Sequence, residues 1–97
     1  MAIKITNQII TDKGTTSSLY INIKSVEYNK EIGDMVVTVN VYKNQTARNN
    51  NEKCRTFVIP RNYVFDWGVD ELIDNAFTVA YSKLTQKLNQ DYTTEQI

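Results

Sequence analysis

Histidine is absent from the chain and cysteine occurs once, at Cys54, so neither a zinc site of Cys/His type nor an internal disulfide is open to it. Without an imidazole, the usual partner for general acid–base work and for activating a nucleophile is missing. The chain has three glycines, Gly14, Gly33 and Gly68, and none stands in a phosphate-cradling motif. Net charge is missing too: eleven basic and eleven acidic residues cancel, leaving no whole-chain field to draw in nucleic acid. The apolar runs fall far short of the roughly 20 residues that cross a bilayer, and the amino-terminal Met-Ala-Ile-Lys-Ile-Thr-Asn lacks a signal peptide's basic and apolar regions. The expected location is therefore the cytoplasm, and the Asn44-Gln45-Thr46 sequon is read as a chance match.

What is present is patterned. At 97 residues the chain has room for one core, which buries about two-thirds of the surface of the unfolded chain. With no staple available, self-association or docking is the expected supplement to its stability. Ile3, Ile5 and Ile9 oppose Lys4, Thr6 and Gln8 with the two-residue period of a half-buried strand, and Thr11-Asp12-Lys13-Gly14 follows as a turn. Leu19, Ile21 and Ile23 begin a second strand whose apolar phase jumps at Ser25, since Val26 and Tyr28 continue on the opposite parity; a β-bulge near Lys24 and Ser25 reconciles the halves. Glu31-Ile32-Gly33-Asp34 reads as a hairpin turn into a third strand, Met35 to Tyr42, in which Val37, Val39 and Val41 alternate with polar neighbours.

Lys43 to Lys53 has no apolar period and is expected to be a solvated excursion with one helical turn at Thr46 to Asn49. Cys54 to Ile59 is expected to form a fourth strand, ended by Pro60. The period then changes: Val69, Leu72, Ile73, Ala76, Phe77, Ala80, Leu84 and Leu88 share one helix face, with Asp66 as N-cap, Asp70, Glu71 and Asp74 early and Lys83 and Lys87 late, an order that suits the helix dipole. Gly68 weakens the first turn. The expected architecture is α+β, a four-stranded antiparallel meander sheet packed against one C-terminal amphipathic helix, with residues 1–88 as the domain and 89–97 as a polar tail that frays unless Tyr92 or Ile97 docks on a neighbour.

Few constellations suggest chemistry. Asp66, Asp70 and Asp74 could share a helical stripe, but complementing the dipole accounts for them without a cation. Lys53 and Arg55 beside Cys54 could lower a thiol pKa, but with no histidine as base a cysteine filling a small strand space is the better reading. The six tyrosines could stack on bases, but the dispersed basic residues form no groove for a nucleic-acid backbone. Tyr63, Val64, Phe65 and Trp67 read either as a lid under the helix start or as an anchor for a partner. Tyr63, Phe65, Trp67, Tyr42, Arg48 and Tyr92 are the candidate protein-interface residues; no catalytic, cofactor or metal residue is expected.

Ile10-Thr11-Asp12-Lys13-Gly14 before Tyr20-Ile21-Asn22-Ile23, then Val39-Asn40-Val41-Tyr42-Lys43-Asn44 running into Ala47-Arg48, then Phe57-Val58-Ile59 and a helix bearing Ala76, Ala80, Tyr81 and Leu84, together resemble a loose group of small bacteriophage virion proteins of the tail, baseplate and head-proximal regions. The resemblance runs from about residue 9 to 88. It implies a non-enzymatic structural subunit of a phage particle (tail, neck or capsid-associated) that assembles with other virion proteins and with itself, through strand edges and the aromatic segment. It implies no cofactor and a place in the virion after a period in the host cytoplasm. It transfers no residue roles, and Asn89 to Ile97 is shorter and less acidic than the end related chains often carry. The alternative is a small regulatory or adaptor module of phage or bacterial origin that binds another protein, with no membrane, small-molecule or main nucleic-acid partner.

Overall fold

The alternation in the sequence becomes strand wherever both sides of the chain find a partner. The structure, a computed structural model, describes residues 1–29, 31–66 and 76–97. In chain order its elements are β1 (Ile3–Ile5), β2 (Ile9–Thr11), β3 (Gly14–Thr16), β4 (Leu19–Asn29), β5 (Asp34–Tyr42), α1 (Gln45–Asn49), β6 (Asn62–Asp66), α2 (Ala76–Leu88) and β7 (Thr94–Gln96). The fold is α+β with antiparallel pairing throughout, but the main sheet has five strands in the order β6-β5-β4-β1-β7 where four were expected, and β2 and β3 form a separate two-stranded sheet.

The long β4–β5 hairpin is the spine. Its turn uses Gly33 at φ 77°, a conformation that suits a residue without Cβ, and the Gly33 N–H donates to the Asn29 carbonyl at 2.9 Å. The register shifts between Ile23 and Ser25, where the apolar phase jumped, so Leu19, Ile21, Ile23, Val26 and Tyr28 all reach the same side as Val37, Val39 and Val41. β1 diverges from β4 beyond the Ile3–Ile21 pair, and Tyr81 of α2 fills the gap: its hydroxyl accepts from the Ile23 N–H at 2.9 Å and donates to the Met1 carbonyl at 2.8 Å. One helix side chain thus replaces the missing rung and anchors α2 to the sheet.

The expectations for three segments are corrected. The strand expected from Ile3 to Ile9 breaks at Thr6, whose N–H donates to the Thr93 carbonyl, while Asn7 Oδ1 accepts from the Thr93 N–H at 2.6 Å; Ile9 then re-enters the core from β2. Cys54 to Ile59 is not a strand. Cys54 N–H bonds the Val41 carbonyl and Thr56 makes one bridge to Thr11, but Thr56 Oγ1 accepts from the N–H groups of Val58 and Ile59 and turns the chain away. The strand resumes after Pro60 as β6, so Tyr63 and Phe65 stand in the sheet opposite Val37 and Met35. Lastly, the tail carries β7, which pairs with β1 while Ala2 and Ile97 exchange both backbone hydrogen bonds.

The excursion after β5 contains α1, capped by Asn44, whose Oδ1 accepts from the Ala47 N–H at 2.8 Å. Asp66, expected as an N-cap, is the last residue of β6 and pairs with Asp34. Trp67, Gly68, Val69, Asp70, Glu71, Leu72, Ile73 and Asp74 lie outside the described residues. From Ala76 onward α2 turns Ala80, Tyr81, Leu84 and Leu88 onto the sheet, as the helical spacing requires. The core gathers Ile3, Ile5, Leu19, Ile21, Met35 and Val37 beneath them, with Ile9 and Ile59 sealing it.

Candidate protein interface

The sheet's two faces differ because of parity. Residues in register with the core pairs point towards α2; the intervening ones, Lys4, Tyr20, Asn22, Val36, Thr38, Asn40, Tyr42 and Val64, form the outer face. At the centre of that face Asn22 stands opposite Asn40, and the Oδ1 atoms of both are buried without a hydrogen-bond partner among the described residues. Towards the hairpin end, Val36 pairs with Val64, which is exposed, and the next pair is Asp34 with Asp66. Glu27, opposite Val36 on the other side, and Glu31 in the turn add negative charge, so among the described residues this end of the sheet is acidic with a narrow apolar strip.

The opposite end is basic. Lys13 sits in the β2–β3 turn, Lys43 follows β5, and Lys53, Arg55 and Arg61 line a cleft of about 240 Å³ with Asp12, Asn40 and Cys54. Asp12 serves the backbone there, its N–H donating to the Arg55 carbonyl at 3.0 Å and its Oδ1 accepting from the Arg55 N–H at 2.8 Å. Next to the cleft the Thr56 turn pushes Phe57 fully into solvent, at 104% relative exposure, with Val58 at 52% beside it. Because Thr56 bridges Thr11, the adjoining Ile10, 71% exposed, belongs to the same rim. Phe57 thus projects as an apolar knob, with Val58 next to it in the chain and Arg55 and Arg61 flanking it in sequence.

The residues singled out from the sequence are scattered by this geometry. Tyr63 is buried under α2's end and stacks on Phe65 with ring centroids 6.1 Å apart, so both rings serve the core side of β6. Tyr42 is buried edge-on against Tyr20 at 6.0 Å, and Tyr92 packs partly buried against the core. Arg48 is exposed in the last turn of α1, and Trp67 lies outside the described residues. Of the named residues, Tyr63 and Phe65 are brought together, with Tyr92 near Tyr63 across a cleft that Val58, Lys87 and Asp91 also line; Tyr42 and Arg48 stand apart from them. Sequence reasoning missed Phe57 and Val58 by assigning them to a strand; the signal was Thr56 two and three residues before Val58 and Ile59, which it can turn by accepting their N–H groups.

Cys54 belongs to the core margin. Burial pushes its thiol pKa up and the Asp12 carboxylate adds to this, while Thr11, Lys13 and Lys43 offset part of the rise. Its sequence neighbours Lys53 and Arg55 do not reverse that direction. Among the described residues no three acidic or thiol groups gather where a metal ion could be held, and no helix is long and apolar enough to cross a membrane. What the arrangement offers is a contact surface with an acidic strip at one end and a basic apolar knob at the other. No protein-family model matches the chain, and neither a curated protein nor a solved structure matches it.

Proposed function

We propose that this chain is a non-enzymatic structural subunit of a bacteriophage particle, built to hold other proteins and copies of itself in place. The observation that carries the contact role is the fully exposed Phe57 on a hydrogen-bonded turn, with Val58 beside it half-exposed. A phenylalanine held in water by a defined turn gives up apolar burial worth about 2 kcal/mol, and aromatic anchors of this kind dominate protein interfaces. The phage setting is supported by the sequence resemblance, whose residues include Phe57-Val58-Ile59. Strand edges and the outer sheet face extend the available surface.

The test is whether the chain is found, in many copies per particle, in gradient-purified virions of the phage that encodes it. Stoichiometric recovery by mass spectrometry is the expected result. A chain abundant in infected cells yet absent from purified particles overturns the reading and favours the adaptor module.

A further inference from the structure

The β4–β5–β6 register separates charge along the molecule. Asp34 and Asp66 face each other at one end of β5, with Glu27 and Glu31 nearby; Lys43, Lys53 and Arg55 gather at the other, some 27 Å away for eight steps of strand, with Arg61 between at the level of Val39. The body is elongated, 41 × 26 × 22 Å, and its formal net charge is zero, so whole-molecule repulsion between copies is absent while their ends attract.

Each end is also incomplete in a way that the other remedies. Aspartates directly opposite across two strands repel, and among the described residues no ion pair relieves either one. Arg55 and Arg61 have no ion pair among the described residues, although Asp12 beside them accepts the Arg55 N–H. The apolar parts match as well. The acidic end carries the flat strip of Val36 and Val64 on the outer face, and the basic end carries the protruding Phe57 with Val58 beside it in the chain. We infer that the chain docks on a second copy of itself head to tail, the Phe57 knob of one seated on the Val36 and Val64 strip of the next, with Arg55 and Arg61 against Asp34 and Asp66.

Such a contact uses two different patches, so it is heterologous: it leaves a free knob and a free strip on every pair and continues into a ring or a filament. Guanidinium–carboxylate pairs at the rim fix its register, and the aromatic anchor supplies most of its affinity. The inference rests on the structural-subunit reading but can fail without it.

The experiment is sedimentation of the full chain over a range of concentrations and salt, with two charge-reversed variants. The wild-type chain is expected to form species larger than a dimer, weakened by salt because the pairs lie at the rim. R55E/R61E and D34K/D66K are each expected to dissociate at concentrations roughly 30-fold higher or more than the wild type, and their equimolar mixture to associate again because the reversed charges match. Phe57→Ser, at a fully exposed position where folding is not at stake, should weaken association to a similar degree. A wild-type chain that stays monomeric, a two-fold dimer that does not grow, or variants that assemble like the wild type would overturn head-to-tail docking. Recovery of the chain in virions would then still stand as support for the structural-subunit reading.

Discussion

One face of the five-stranded sheet is sealed and the other is left open, and the two follow different rules. Beneath α2, Ile3, Ile5, Leu19, Ile21, Met35 and Val37 are fully buried, as is Leu84 of the helix itself, and the Tyr81 hydroxyl that reaches the sheet there makes two hydrogen bonds. On the outer face the asparagine oxygens of residues 22 and 40 lack partners, aspartates oppose each other, and Val64 stands in water. Stability is concentrated on the first face, so the second can carry opposed like charges and an exposed valine at small cost to the fold.

If that division holds, the largest loss comes from the sealed face. Leu84→Ala removes a fully buried side chain from the centre of the α2 contact and should lower unfolding free energy by about 2–5 kcal/mol, read as a drop in the denaturant midpoint with the slope unchanged. A loss near zero would mean that α2 does not seal the sheet as described. Tyr81→Phe keeps the ring and deletes the hydroxyl, leaving the Ile23 N–H and the Met1 carbonyl without that bridge; a loss of about 1–3 kcal/mol is expected in the same assay. The outer face should respond in the opposite sense. Asp66→Asn relieves the repulsion from Asp34 and should raise stability by a few tenths of a kcal/mol while weakening association, so stability and assembly move apart.

The division also explains what could be read in the sequence. β5 was legible because it is buried on one side only, which writes Val37, Val39 and Val41 as strict alternation. The bulge was legible because a core face must be continuous, so the phase jump at Ser25 had to be absorbed by the backbone. β7 was not, because Thr94-Glu95-Gln96 sits at a sheet edge, buries little and has no apolar signal; its pairing is decided by β1 and by the Ala2 and Ile97 backbone bonds. Phe57 and Ile59 gave a false alternation, since Ile59 is buried and Phe57 exposed through a side-chain-to-backbone turn that hydrophobic periodicity does not record. Tyr63 and Phe65 stood out in the sequence as aromatic, and register placed them on the sealed side.

The smallest effect at neutral pH falls at the margin between the faces, at Tyr63. Its hydroxyl is buried without a partner among the described residues, so Tyr63→Phe removes an unsatisfied polar group and should change stability by less than about 1 kcal/mol near pH 7, in either direction. The difference appears in alkali. Burial, with a smaller contribution from Tyr92, pushes the folded-state pKa of Tyr63 from 10.0 up to about 12. The folded chain therefore holds this proton more tightly than the unfolded chain. That contribution to stability is fully present below pH 10 and is lost as the pH rises towards 12, where the unfolded state alone ionises freely. Tyr81 and Cys54 shift in the same direction, so the variant keeps part of the alkaline loss and sheds only the share that belongs to Tyr63. The difference in unfolding free energy between wild type and variant should hold constant from pH 7 to 9 and then shift in the variant's favour between 10 and 12, the wild type falling more steeply. Curves that stay parallel to pH 12 would show that water reaches the hydroxyl in the folded chain, and would move the boundary of the sealed face inward from Tyr63 to Val37.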